Sequence, residues 1–153
     1  MPNTYTQIHL QLIFAVQNRE SLIEKSWKDE LYKYFTGIIQ HADHKLIIVN
    51  GMPDHVHVVM GMRPTQSLSE LMKHLKGDSS KWINEKRFVQ GHFQWQEGYG
   101  AFSYSKSQLP ALIRYVENQE AHHQTKTFLE EYRAFLDKFE VPYEEQYLFK
   151  AVL

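Results

Sequence analysis

The sequence contains no cysteine. This excludes disulfide bonds and thiolate zinc sites, and it fits a cytoplasmic protein. No stretch approaches the roughly 18–20 apolar residues of a membrane-spanning helix, so we expect no membrane partner. The first residues, MPNTYTQ, lack the basic and apolar regions of a signal peptide, and we expect none. Repeats, linkers and low-complexity segments are also absent from the sequence.

A large excess of charge of either sign is missing too. The formal net charge is −1, which argues mildly against a dedicated nucleic-acid-binding protein. The local distribution is less even, because residues 63–87 contain six basic and three acidic side chains, whereas residues 127–145 contain two basic and six acidic ones. If the protein binds a polyanion, we expect the first region to face it and the second to face away. Two solvated helix faces explain the same charges equally well.

Apolar and aromatic residues are plentiful, at 42% and 14%, and they predict one folded domain over residues 1–153. Apolar alternation predicts strands in IHLQLIF, KLIIV and HVHVVM, with a turn in NGMPD, and a further strand or hairpin in HFQWQEGYGAFSYS. Helical periodicity predicts helices at 26–42, from Ser67 onward, at 107–123 and at about 127–139. The order β-α-β-β-α-β-α-α predicts an α+β fold, with helices covering an antiparallel sheet.

The segment NGMPDHVHVVMG places two histidines on one strand. Alternation directs His55 and His57 to one face, and Val56 and Val58 to the other. Two imidazoles on one face can reach a single cation, and neutral imidazole is a common metal ligand. For an isolated His-x-His pattern, two half-exposed histidines on a polar sheet face are the more frequent explanation.

The predicted helix at 107–123 carries a tyrosine beside its apolar stripe. Tyr115 and Gln119 are i and i+4 neighbours on the flank of that stripe, from which they can face a sheet. His122 lies on the same flank. Alternatively, Tyr115 is a boundary aromatic and Gln119 a solvated helix residue.

Three segments in this order carry a family resemblance: the histidine strand after GMPD, then WQEGYGAFSYS, then YVENQEAHH. They resemble the single-tyrosine HUH transposases of the insertion-sequence 200/605 type, and the resemblance extends from IHLQLIF to FLEEYRAFL. It implies a ferredoxin/RRM-like HUH fold, a central antiparallel sheet with flanking helices, acting as a homodimer. It also implies a DNA strand transferase that cleaves and rejoins single-stranded DNA, including hairpin-forming element ends, through a covalent 5′-phosphotyrosine during transposition.

The resemblance assigns roles by position. Tyr115 matches the nucleophile, His55 and His57 match the metal ligands, and Gln119 matches the helix residue that completes the metal site. This neutral ligand set suits Mg²⁺ or Mn²⁺ and leaves the full charge of the ion for the phosphate, and its nitrogen ligands favour Mn²⁺. Tyr104 is the second candidate for the nucleophile.

For DNA contact, the segment KHLKGDSSKWINEKR is the best candidate. Four of its side chains can meet phosphates: Lys73, Lys76, Lys81 and Arg87. Trp82 can stack on a base, although a core position is favoured for it.

Two other functions remain open. One is a nucleic-acid-binding module that uses the same sheet without cutting. The other is a hydrolytic metalloenzyme, which needs a third strong ligand and a general base, usually Asp or Glu. Asp54 is adjacent to the histidines, but it points to the opposite face from His55 if the strand has already begun.

Overall fold

A computed structural model describes residues 3–124 and 126–148 of the chain. Its centre is a four-stranded antiparallel sheet in the order β2-β3-β1-β4. The strands are β1 (His9–Ala15), β2 (Lys45–Met52), β3 (His55–Gly61) and β4 (Gly100–Tyr104). The helices are α1 (Lys28–His41), α2 (Leu68–Lys73), α3 (Ser79–Lys86), α4 (Leu109–Glu117), α5 (Gln119–His122) and α6 (Phe128–Lys138). The predicted α+β class is confirmed.

The connections give the sheet its ferredoxin-like topology. Helix α1 connects β1 to β2, and β3 inserts between these two strands and pairs antiparallel with both. Helices α2 and α3, joined by a π-helical turn at His74–Asp78, connect β3 to β4 on the far side of β1. This is the split β-α-β arrangement implied by the resemblance. It places β1 and β3, the strands nearest the site, in the middle of the sheet.

One face of the sheet forms the main apolar core. Leu12 and Phe14 of β1 and Val58 of β3 are buried there against α1, α2 and α3. Phe14 meets Phe35 of α1 and Trp95 edge to face, with ring centroids 5.6 and 4.9 Å apart. Each such side chain contributes roughly 1.5–3 kcal/mol by its burial, so this face provides a rigid support for the other one.

The opposite face is covered by α4, α5 and α6. Ile13 and Phe102 pack against α6, and Val59 packs against α4. Between these apolar contacts lies a buried polar cluster, which contains His55 and His57. Alternation along β3 therefore separates the core from the cluster, as predicted.

One local prediction was wrong in part. Asn50 and Gly51 belong to β2, and the turn to β3 lies at Pro53 and Asp54. A Cβ at Gly51 would collide with the carbonyl oxygen of His55, so glycine permits the close approach of the two strands. The segment predicted as a strand or hairpin contains one strand, β4, and Trp95 forms a single bridge to Val16.

The predicted helix at 107–123 is also interrupted. The capping box of Ser105 and Gln108 is present, and the Gln108 side chain accepts from the Ser105 N–H at 2.8 Å. Helix α4 then ends at Glu117, because Asn118 adopts φ −97° and ψ 28°. A separate turn of helix, α5, follows from Gln119.

Among residues 3–124 and 126–148, no helix combines the length and the hydropathy that a membrane crossing requires.

Candidate active site

The two histidines of β3 are fully buried and their orientation is fixed. Nδ1 of His55 donates to Oδ1 of Asp54 at 2.7 Å, and Nδ1 of His57 donates to Oε1 of Gln11 at 2.8 Å. Both acceptors are oxygens without a proton, so Nδ1 is the protonated nitrogen of each ring in its neutral form. The Nε2 atoms of both rings therefore face the cluster, which is the arrangement that outer hydrogen bonds impose on metal-binding histidines.

A carboxylate on α6 meets both Nε2 atoms. Oε1 of Glu131 lies 3.0 Å from Nε2 of His57 and 3.4 Å from Nε2 of His55, and it also accepts from Nε2 of His123 at 3.2 Å. Burial raises the pKa of a carboxyl, but hydrogen bonds from His123 and His55 outweigh it and hold the pKa of Glu131 far below its usual range. Glu131 is therefore ionised although it is only 2% exposed.

Glu131 was missed by the sequence reasoning, which expected the acidic segment 127–145 to face away from a polyanionic partner. Glu131 points inward instead, into the buried cluster with His55 and His57. Its position in the sequence contained a signal, because it lies three residues after Phe128 and four before Phe135, within the apolar stripe of α6. A charged side chain in a buried stripe requires a partner.

The imidazoles respond differently to this carboxylate. Burial lowers the pKa of an imidazole, but hydrogen bonds to Asp54 and Glu131 raise the pKa of His55 to about 9. For His57, burial prevails over the contact with Glu131, and the pKa lies below its usual value. Asp54, which was expected on the opposite face, precedes β3 and directly supports His55.

The site contains a set of donors that fits a divalent cation. The ligand atoms of His55, His57 and Glu131 lie within 4.8 Å of one another. Gln119 points into the same space and is completely buried. Its Oε1 lies 3.1 Å from Nε2 of His55, and its Nε2 donates to Oε2 of Glu131 at 3.1 Å. Two imidazoles, a carboxylate and a carboxamide oxygen are a mixed nitrogen and oxygen set that first-row divalent metals accept.

Tyr115 of α4 reaches this cluster from the same chain. Its hydroxyl donates to Oε2 of Glu131, and its ring lies 6.2 Å from the His57 ring and stacks on His122 at 4.3 Å. Burial and the Glu131 carboxylate raise the pKa of Tyr115 above that of a free phenol. The flank position predicted for Tyr115 and His122 thus faces the cluster.

The break between α4 and α5 explains the remaining residues. It accompanies the inward position of Gln119 and brings His123 to Glu131. Tyr104, the second candidate nucleophile, is one residue removed from the cluster, because its hydroxyl accepts from Nε2 of Gln11 at 2.8 Å. Burial raises the pKa of Tyr104 to about 12.

The predicted DNA-contact residues lie on the other face of the sheet, on α2, α3 and the turns that follow them. Lys73, Lys81 and Arg87 are exposed there. Lys76 donates to the carbonyl oxygens of Gln96 and Gly98 at 2.7 and 2.8 Å and so fixes that loop. Trp82 stacks on Tyr34 at 4.7 Å, beside the core.

Comparison with known proteins identifies the family of this chain. A family model described as IS200-like transposase matches residues 4–119. The chain belongs to the IS200-like transposase family. The transposase is 25% identical to the ISDra2 transposase TnpA of Deinococcus radiodurans over 118 residues, which are 74% of this chain and 84% of that protein. The resemblance inferred from the sequence is confirmed.

Two solved structures share the fold of the transposase. A crystal structure of a candidate transposase from Deinococcus radiodurans R1 superposes with a TM-score of 0.63 and 22% identity, covering 78% of this chain and 95% of that one. A REP-associated tyrosine transposase bound to a REP hairpin superposes with a TM-score of 0.61 and 11% identity, covering 80% and 73%. Helix α6 and Glu131 lie beyond the residues that the family model matches.

Proposed function

We propose that this transposase cleaves and rejoins single-stranded DNA through a covalent 5′-phosphotyrosine on Tyr115, in the transposition of an insertion-sequence element. The observation that supports this most is the convergence on Glu131. One of its oxygens faces Nε2 of His55 and His57, and the other accepts from the Tyr115 hydroxyl. In this structure Tyr115 and the proposed metal ligands meet within one chain. The expected homodimer remains part of the proposal.

The proposed reaction conserves the energy of the phosphodiester bond. The oxygen of Tyr115 attacks the phosphorus and forms a new ester, while the bond from phosphorus to the 3′ oxygen breaks. The phenol loses its proton, and the departing 3′ oxygen gains one and leaves as a hydroxyl. Rejoining is the reverse, in which a 3′-hydroxyl attacks the phosphotyrosine and releases Tyr115.

Activation of Tyr115 is the main chemical difficulty, because a phenol ionises near pH 10 in water and the pKa of Tyr115 is raised. Oε2 of Glu131 orients the hydroxyl and is the nearest acceptor for its proton. A divalent ion held by His55, His57, Glu131 and Gln119 would withdraw charge from the scissile phosphate and stabilise the ionised oxygen of Tyr115. The proposed ion is Mg²⁺ or Mn²⁺, and the imidazole ligands favour Mn²⁺.

The ligand set differs in charge from the one expected from the sequence. Gln119 and the two histidines are neutral, but Glu131 adds a carboxylate. It cancels about one unit of the ion's charge, so the scissile phosphate would meet a net charge of about +1. His123, which is outside the ligand set, spreads this negative charge by its hydrogen bond to Oε1 of Glu131.

The DNA contacts of Lys73, Lys81 and Arg87 stay a proposal. Since they lie on the opposite face of the sheet from Tyr115, they would contact parts of a strand or hairpin that are remote from the cleavage point. Lys76 would join them only by releasing the carbonyl groups of the 96–98 loop.

The test is a covalent-adduct assay. The protein is incubated with Mn²⁺ and a library of random single strands and hairpins, and protein-linked DNA is separated on a denaturing gel. The wild-type protein should form an adduct with single strands and far less with plain duplex. Tyr115→Phe should form none, whereas the matched control Tyr104→Phe should still form it. Adduct formation by Tyr115→Phe would show that another residue is the nucleophile. Free ends would favour a hydrolase, and binding without product would favour a non-cleaving module.

A further inference from the structure

A deep groove runs between α4 and α6 and ends at the proposed nucleophile. Its volume is about 620 Å³. Tyr104, Leu112 and Phe135 form its apolar walls, and Tyr115 and Glu131 line it beside the buried cluster. The side chains of Lys126 and Lys138, both exposed, lie along its α6 side.

We propose that this α4–α6 groove binds the nucleotides flanking the scissile phosphate. The base lies between the apolar walls, and Lys126 and Lys138 contact the backbone phosphates. The proposal rests on the proposed function, because it takes Tyr115 as the point that the scissile phosphate must reach. It assigns the DNA strand at the cleavage point to a surface that lies partly outside the family match, since α6 follows residue 119.

Access to the nucleophile supports the groove. His55 and His57 are 0% exposed, because the sheet lies on one side of them and the helices lie on the other. A phosphate therefore has no direct route from solvent to these two rings. Tyr115, in contrast, is only partly buried and lines the groove. The volume lies within the range of cavities that hold small organic ligands, and its aromatic wall suits a nucleobase, whose flat face stacks on aromatic side chains.

The position of the lysines supports a strand as the occupant. Lys126 precedes α6 and Lys138 is its last residue, so they lie near opposite ends of a helix roughly 15 Å long, a distance that a few nucleotides span. Lys126 also lines a neighbouring cleft of about 650 Å³, together with Asp54 and His123 on the other side of the cluster. A strand can therefore pass from one cleft to the other over Lys126, with the scissile phosphate beside Tyr115.

The test compares charge reversals on two sides of the molecule. Binding of a short labelled single strand is measured by fluorescence anisotropy in a chelator, so that strand cleavage does not enter the result. Lys126→Glu/Lys138→Glu should weaken binding at least roughly 20-fold at 0.1 M salt, and it should lower the salt slope by about 1.4, the value for two single-strand phosphate contacts. Lys33→Glu/Lys45→Glu, exposed control positions on α1 and β2, makes the same change in net charge and should bind normally.

A steric variant tests the base site without changing charge. Ala134 is an exposed residue of α6 that lines the groove, and Ala134→Trp should fill it and weaken binding. Normal binding by either groove variant overturns the proposal, and so does an equal loss in the control pair, because binding would then follow net charge alone. Whether the wild-type protein forms an adduct is a separate measurement, so failure of the groove and failure of the covalent mechanism are distinguishable.

Discussion

Glu131 divides its two carboxylate oxygens between the histidines of β3 and the proposed nucleophile, Tyr115. Oε1 meets His55, His57 and His123, and Oε2 meets Tyr115 and Gln119. A single side chain thus couples the protonation of the imidazoles to the orientation of the phenol. Such a buried charge is retained only where hydrogen bonds compensate its desolvation, and here every compensating group belongs to the proposed chemistry.

Replacement of the Glu131 carboxylate should weaken metal binding while the protein still folds. Glu131→Gln keeps the shape and removes the charge, and we expect Mn²⁺ affinity, measured by calorimetry, to fall at least about tenfold. Adduct formation should fall with it. The matched control is Glu130→Gln, which makes the same charge change at an exposed neighbouring position of α6. Unchanged Mn²⁺ affinity in Glu131→Gln would remove Glu131 from the ligand set.

At the scale of elements, the patterns that are local in sequence were predictable and the contacts between elements were not. Strand alternation gives the common face of His55 and His57, and helical spacing gives the flank of Tyr115. The end of α4 has a tertiary cause instead. Nδ2 of Asn50 in β2 donates to the carbonyl oxygens of Val116 and Glu117, at 2.9 and 3.3 Å.

The same limit explains the residues that were missed. Asn50 was interpreted as a turn residue, because the Asn-Gly pair is a strong turn signal. Its hydrogen-bond partner, Val116, lies 66 residues away in the sequence. Gln11 joins the site through the pairing of β1 with β3, and His123 and Glu131 join it because α6 packs on the sheet and the helix breaks at Asn118. No local periodicity encodes these contacts.

Loss of the Asn50 donor should therefore disturb Gln119, which begins the next helix. Asn50→Ala removes the hydrogen bonds that close α4, and we expect a loss of about 1 kcal/mol in the free energy of unfolding. Mn²⁺ affinity should fall as well, but less than in Glu131→Gln. Asn50→Asp keeps the shape but cannot donate, so it should match or exceed the loss in Asn50→Ala. Wild-type behaviour of Asn50→Asp in denaturation and Mn²⁺ titration would contradict the role of this donor.

At the scale of the whole molecule, the two faces of the sheet have separate tasks. The face beneath α1, α2 and α3 is apolar and provides most of the aromatic packing, whereas the face beneath α4, α5 and α6 encloses ionisable groups. The fold therefore places its titrating groups where their hydrogen bonds contribute to stability. Folding and proton binding are consequently linked in this protein, and binding of the proposed metal ion would be linked to both.

This linkage predicts a specific pH dependence of the metal-free protein. The pKa of His55 is raised from 6.5 to about 9, so the folded state binds this proton more tightly than the unfolded chain does. Its contribution is complete below pH 6.5 and is lost as the pH rises through 9. The pKa of His57 is lowered, so its opposite contribution comes from protonation of the unfolded ring near pH 6.5 and fades at higher pH, where the ring is neutral in both states. The free energy of unfolding in a chelator should therefore decline from pH 6.5 to 9.

A metal ion should reverse this trend. It requires the neutral imidazole of His55 and competes with the proton, so the increase in Tm caused by Mn²⁺ should grow over the same pH window. Asp54→Asn removes the carboxylate that accepts from Nδ1 of His55 and should flatten both dependences. The measurement is a series of thermal melts from pH 6.5 to 9, with chelator and with Mn²⁺, for both proteins. Two outcomes would contradict the raised pKa of His55 in the folded protein. One is a flat metal-free profile in the wild-type protein, and the other is a stabilisation by Mn²⁺ that does not grow with pH.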